Sequence, residues 1–281
     1  MDLRLSHLNC ALNYRRKFVQ IRIAILVYLF LLVLFHLVGL PEVDILVVLS
    51  GFLLNVAIDL IVKNSAAKDV RPHIELKCSN AKCNPILFLI SPGYYLARLF
   101  KNSIIFKGDN SYKNKKVQRS IFIENSNLYN CYASVTILIV LMLVDLSVSS
   151  GNNPSSVFLD VLKTIAVFRV ISRCFEMIYA FSKDVLSAPS RSRSALTKYK
   201  RIKLAISSYF ENVTNFACVY FFFGSSGFVS SVLDSVGRST ISNIGIDRCT
   251  SDLTQLFIYS QVVTSLTLVV LSLALYVGRE Q

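Results

Sequence analysis

Charged residues inside otherwise apolar stretches are the first candidates for chemistry in this chain. Arg169, Arg173 and Glu176 fall within residues 157–186, and Glu211 falls a third of the way into residues 204–223. Arg169 and Arg173 are four apart and Arg169 and Glu176 seven apart, so all three share one helical face. An ionisable side chain in a membrane helix needs a partner or water, which makes these residues candidates for an ion path or for a paired packing face. Asp145 and Glu211 are the acids offered as partners for the arginines. A second polar constellation is the turn at 239–247, Ser-Thr-Ile-Ser-Asn-Ile-Gly-Ile-Asp. It lies between a helix-like run at 229–240 and an apolar run at 253–277. Unwound backbone at membrane depth is tolerated where it lines a water-filled path, and its carbonyls can then coordinate ions.

Enzymatic and metal chemistry have no comparable pattern. No paired carboxylates, Ser–His pair or phosphate loop stand at usable spacing, so no catalytic residue is assigned. Cys78 and Cys83 are the closest of seven cysteines, but a zinc half-site needs a second ligand pair, and His7, His36 and His73 are scattered. No metal site or resident cofactor is expected.

The elements that must position these groups are membrane helices. The 281 residues are 53% hydrophobic and only 17% charged, against about 25% in soluble chains. The apolar residues gather in runs of about 20 residues. The net charge of +13 sits between those runs, which points to anionic lipid at the cytoplasmic face rather than to nucleic acid. The fold class expected is an all-α polytopic membrane protein with about six transmembrane helices. It includes a re-entrant pore-type half-helix and loop before the last helix, plus a small cytoplasmic insert with β-like runs.

Five regions follow. Residues 1–62 form a hairpin of two spans, the first an uncleaved helix at 23–40, with Asp59 near the inner end of the second and free to snorkel. Residues 63–130 form the basic insert. It has strand-like runs at 73–78, 104–107 and 121–123, and a turn signal at Ser91-Pro92-Gly93. A second reading of the insert lays residues 94–101 on the membrane, with Tyr94, Tyr95, Leu96, Leu99 and Phe100 toward lipid. Residues 131–186 hold spans three and four. Residues 187–203 form a basic surface linker, and 204–281 a pore-like unit.

The loops test this layout. Residues 1–22, 63–130 and 183–203 carry net charges of +4, +8 and +6, while 41–44, 150–156 and 223–252 carry −2, 0 and −1. The alternation predicts cytoplasmic termini, a multi-pass protein of the plasma (inner) membrane, and the 223–252 segment on the outer side.

Helix, short helix, polar turn, helix resembles the two-helix pore domain of the potassium-channel superfamily, whose turn reads Thr-x-x-Thr-Val-Gly-Tyr-Gly-Asp. Thr240 matches the first Thr, and Asn243, Ile244, Gly245 and Ile246 stand where Thr-Val-Gly-Tyr would be. Asp247 takes the second glycine's place or stands for the final Asp after a deletion. The resemblance covers about the last 80 residues. It implies a homotetramer in which Thr240 and Asn243 to Asp247 line an ion path for a monovalent cation such as potassium. It also implies an inner lining of Leu256, Tyr259, Val263 and Thr267. The changed residues at 243 and 247, and a last helix without glycine between 253 and 277, imply weaker selectivity or a non-conducting relative. The competing reading is a small transporter or an assembly scaffold. A transporter predicts internal repeats, and helices 1–3 show no self-similarity to helices 4–6. Arginines in the fourth helix also invite a voltage-sensor reading, but the every-third-residue repeat is absent.

Overall fold

The computed structural model describes residues 45–68, 70, 74–76, 85–106, 112–151, 154–186, 195–224, 227–242 and 251–278. The expected first span, His7, His36, His73, Cys78, Cys83 and the turn residues Asn243, Ile244, Gly245, Ile246 and Asp247 lie outside them.

The described chain is almost wholly helical. It comprises α1 (Ile45–Lys68), β1 (Ile74–Leu76), α2 (Pro85–Ile90), α3 (Pro92–Ser103), β2 (Ile104–Phe106), α4 (Tyr112–Ser149), α5 (Ser156–Leu186), α6 (Lys198–Phe223), α7 (Phe228–Ser239) and α8 (Asp252–Gly278). Within the strand-like runs at 73–78 and 104–107, residues 74–76 and 104–106 pair antiparallel, with Glu75 opposite Ile105. Hydroxyl side chains start four of the helices by accepting from the backbone three residues on. Ser91 accepts from Tyr94 N (3.3 Å), Ser155 from Phe158 N (3.3 Å), Thr197 from Lys200 N (3.4 Å) and Ser251 from Thr254 N (3.3 Å).

Three helices are long and apolar enough to cross a membrane, within Ile45–Lys68, Lys116–Ser149 and Asp252–Leu271. Their outward faces carry large apolar side chains, among them Leu46 (73% exposed) on α1, Leu143 on α4 and Leu256 (60%) on α8. Many of the groups turned inward are polar: Asn55, Asp59, Lys63, Ser134, Arg169, Glu211 and Gln261 are all buried. Apolar outside and polar inside is the arrangement of an integral membrane protein, because the surrounding lipid cannot satisfy hydrogen bonds.

The long helices run up and down against one another. At one end Phe223 packs on Phe257 (ring centroids 5.4 Å apart), Lys163 lies over the Phe223 ring, and Asp145 abuts Gly227. At the other end Ala195 N donates to Lys116 O (3.2 Å), and Arg201 pairs with Asp184. The first end is called the upper end below. Gly51 lets α1 and α5 touch there. A Cβ at residue 51 would stand 2.5 Å from Thr164 Cγ2, so a small residue is needed at this crossing.

Four expectations change. Residues 121–123 are helical, and α4 begins at Tyr112, so position 130 lies inside a continuous helix. Its buried stripe, Phe122, Ser126, Asn130 and Ser134, recurs every four residues, but three of the four are polar and leave no hydrophobic period to read. Ser91-Pro92-Gly93 starts a helix instead of a turn, with Ser91 as cap and Pro92 in the first helical position, where a missing N–H costs nothing. Within residues 94–101, Tyr95 faces protein and not the exterior. Tyr95 and Ala97 are 1% and 2% exposed, because α3 inserts against α1 and α5. The basic run Lys198, Lys200, Arg201 and Lys203 belongs to the first turns of α6 and not to a linker.

Candidate functional site

Two polar regions occupy the bundle. The first is a core of full charges contributed by three helices. α1 gives Asp59 and Lys63, four residues apart on one face; α5 gives Arg169, Arg173 and Glu176; α6 gives Glu211. Arg173 is gripped side-on, its Nε donating to Glu211 Oε1 (2.5 Å) and Nη2 to Glu211 Oε2 (2.6 Å), while Nη1 donates to Glu176. Lys63 Nζ donates to Glu176 Oε1 (3.0 Å) and to Ser126 Oγ (2.8 Å). Arg169 lies 3.7 Å from Asp59 and 3.9 Å from Glu211, and donates to Asn130 O (2.9 Å) and Ser134 Oγ (3.2 Å).

Three cations thus face three anions, and the core is formally neutral. Neutrality matters because an unpaired charge in this setting costs several kcal/mol by general estimates. All four charged candidates from the sequence meet here. Glu211 is the partner of the arginines; Asp145 sits elsewhere, beside Gly227. Arg169 and Arg173 are therefore an ion-paired packing face. Asp59, expected to snorkel, is 1% exposed and joins the core. Lys63 was not foreseen as a member. Its four-residue spacing from Asp59 was the available signal. The start of α3 closes the core from one side. A Cβ at Gly93 would stand 2.9 Å from Asp59 Oδ2 and 3.0 Å from Glu176 Oε2, so glycine lets that helix start approach two carboxylates, which its dipole favours.

The second region is held mainly by neutral groups. α7 is amphipathic, with Ser231, Ser235 and Ser239 buried at four-residue spacing and Val229 and Leu233 more than 60% exposed. Gln261 on α8 holds it, its Nε2 donating to Ser235 O (2.9 Å), Ser235 Oγ (2.8 Å) and Ser239 Oγ (2.6 Å). Tyr220 Oη on α6 donates to Gln261 Oε1 (2.6 Å), and Arg238 stacks on the Tyr220 ring (4.2 Å). Ser235 Oγ also donates to Val213 O (2.7 Å).

These contacts fix the depth of α7. Its first residues lie by Asp145 at the upper end. Ser235 touches Val213, ten positions below the end of α6, or about 15 Å at helical rise. Ser239 touches Gln261, nine positions below the start of α8, or about 14 Å. The half-helix enters from the upper end and stops inside the bundle. Its end is a Schellman turn, with Ser242 N donating to Gly237 O (2.9 Å) and Ile241 N to Arg238 O (3.2 Å). Ile241 takes the left-handed position at φ 61°, which a β-branched residue rarely adopts. Thr240, the first residue of the expected ion path, is exposed at this end and donates to Val236 O (3.0 Å). Leu256, Tyr259 and Val263 are exposed along one face of α8.

Among the described residues no group of His, Cys, Asp or Glu side chains could hold a metal ion. No family model, curated protein or solved structure matches this chain.

Proposed function

We propose that the chain is a pore-forming subunit of a cation channel, with residues 204–278 supplying the pore and four copies surrounding one axis. The observation that carries the reading is the half-helix α7, which enters from one end of the bundle and ends about halfway down it. A helix ending at that depth directs the negative end of its dipole toward the membrane interior, which stabilises a dehydrating cation. In sequence, Asn243, Ile244, Gly245, Ile246 and Asp247 follow directly after the end of this half-helix. The exposed apolar faces of α7 and α8 are surfaces that neighbouring copies would cover. In this reading the charged core holds the outer helices together and does not conduct.

Single-channel recording of the purified protein in planar bilayers, under potassium and sodium gradients, tests the proposal. Discrete cation currents abolished by Gly245→Pro are expected, with cross-linking to a tetramer. Silence from folded, tetrameric protein over a wide range of voltage and tension would sink it and favour a scaffold or a non-conducting relative.

A further inference from the structure

A cavity of about 180 Å³ lies below the charged core, between α3, α4, α5 and α6. It runs from Asn130 and Arg173 at its inner end to Asp184, Leu196 and Arg201 near the lower end. At the volume water occupies in the liquid, this is room for about six water molecules or one small metabolite. One wall is apolar (Ile123, Met177, Phe181) and the other polar.

The charges in the wall are unequal in availability. Arg173 is taken up by Glu211 and Glu176, and Arg201 by Asp184 and the Leu196 carbonyl. Lys101, from α3, has no hydrogen-bond or ion-pair partner among the described residues. Asn130 is 1% exposed, and neither its amide nitrogen nor its side-chain oxygen has a partner. A buried amide left in that state costs about 1–3 kcal/mol, so a group that satisfies it is held correspondingly well. A ligand that answers both residues brings one negative charge for Lys101 and a hydrogen-bonding group for Asn130. The cavity wall carries three basic and two acidic side chains, a surplus of one positive charge. That surplus suits a monoanion, and Glu176 and Asp184 disfavour a dianion such as phosphate.

We propose that this cavity binds a small monocarboxylate bearing a hydroxyl, with its carboxylate on Lys101 and its hydroxyl on Asn130. Burial of Lys101 among Lys63, Arg119 and Lys183 lowers its pKa to about 8 while Glu176 opposes the fall. An anion docking there relieves that strain. The site shares α6 with the α6–α7–α8 unit but takes no residue from α7 or α8, and it does not depend on that unit's conducting.

The test is isothermal titration calorimetry of the full chain in lipid nanodiscs at pH 7. Sodium L-lactate is the probe, with sodium chloride and sodium phosphate at matched ionic strength beside it. Saturable lactate binding is expected, weakened roughly tenfold or more in Lys101→Gln, as loss of a charged hydrogen bond predicts. Asn130→Ala, read on its own, is expected to weaken lactate severalfold, and to weaken acetate, which lacks the second group, much less. Thermal melts without ligand verify that each variant is folded. No saturable lactate binding by folded wild-type protein would mean that the cavity holds water only and would overturn the proposal. So would phosphate binding tighter than lactate, or lactate affinity unchanged in both variants.

Discussion

The charged core and the seat of α7 solve one problem with different chemistry. Both put polar groups inside a bundle whose exterior is apolar. The core uses ionised side chains, six of them from α1, α5 and α6. The seat uses a neutral amide, serines and a phenol, with Gln261 at its centre. A charge network holds only while every member is present, since each removal strands an opposite charge. A neutral network fails by smaller steps, one hydrogen bond at a time.

Substitutions sharpen that contrast, and the largest effect is expected at Glu211. Glu211→Leu leaves Arg173 with only Glu176 and Arg169 with only Asp59, so a loss of about 3–5 kcal/mol is expected in denaturant unfolding in micelles. The double variant Glu211→Leu with Arg173→Met should recover part of that loss. If the single variant unfolds like wild type, the core is not held by its charges. Gln261→Leu should cost less, about 2 kcal/mol, by orphaning Tyr220 Oη and Ser239 Oγ. Cysteine accessibility at position 240 should rise with it as α7 loosens.

The rim of the core adds a pH-dependent case. Protonated Lys101 is the anion-binding form, and its pKa of about 8 is below the usual lysine value. Lactate affinity should therefore be level below pH 7 and fall about tenfold per pH unit well above 8, about 1.4 kcal/mol per unit. A profile flat to pH 10 in calorimetry would remove Lys101 from the site. The smallest effect is expected at the end of α7. Ile241→Gly relieves a left-handed β-branched residue and should stabilise by up to about 1 kcal/mol. If the strain is needed to aim the following turn, the same variant changes conductance in bilayer recordings although it melts higher.

The sequence was most legible where hydrophobic runs or caps are strong. The spans at the start of α1 and through α8, the limits of α5 and the short α7 all fall within a few residues of the expected positions. It was least legible between 85 and 130. Ser91-Pro92 reads equally as a turn or as a capped helix start, and only the packing of Tyr95 decides between them. The lower half of α4 shows its inner face as Ser126, Asn130 and Ser134, so a pattern tuned to apolar periodicity passes over it. In the charged core, one-helix spacing placed Arg169, Arg173 and Glu176 together. That Asp59 and Lys63 complete the set depends on how α1 crosses α5, at the contact of Gly51 with Thr164.

What the residues determined by themselves was local or additive. Composition established an integral membrane protein, periodicity the helices, and charge alternation the expected orientation. These properties depend on neighbours in the chain or on simple sums, and no fold is needed to read them. Tertiary structure decided which charges became partners, how far α7 descends, and that Lys101 and Asn130 share one cavity. Those outcomes depend on contacts between residues far apart in sequence, such as Lys63 with Glu176 and Ser235 with Gln261. Pairing at such separations is set by helix crossing and depth, geometry that no single stretch of the chain carries.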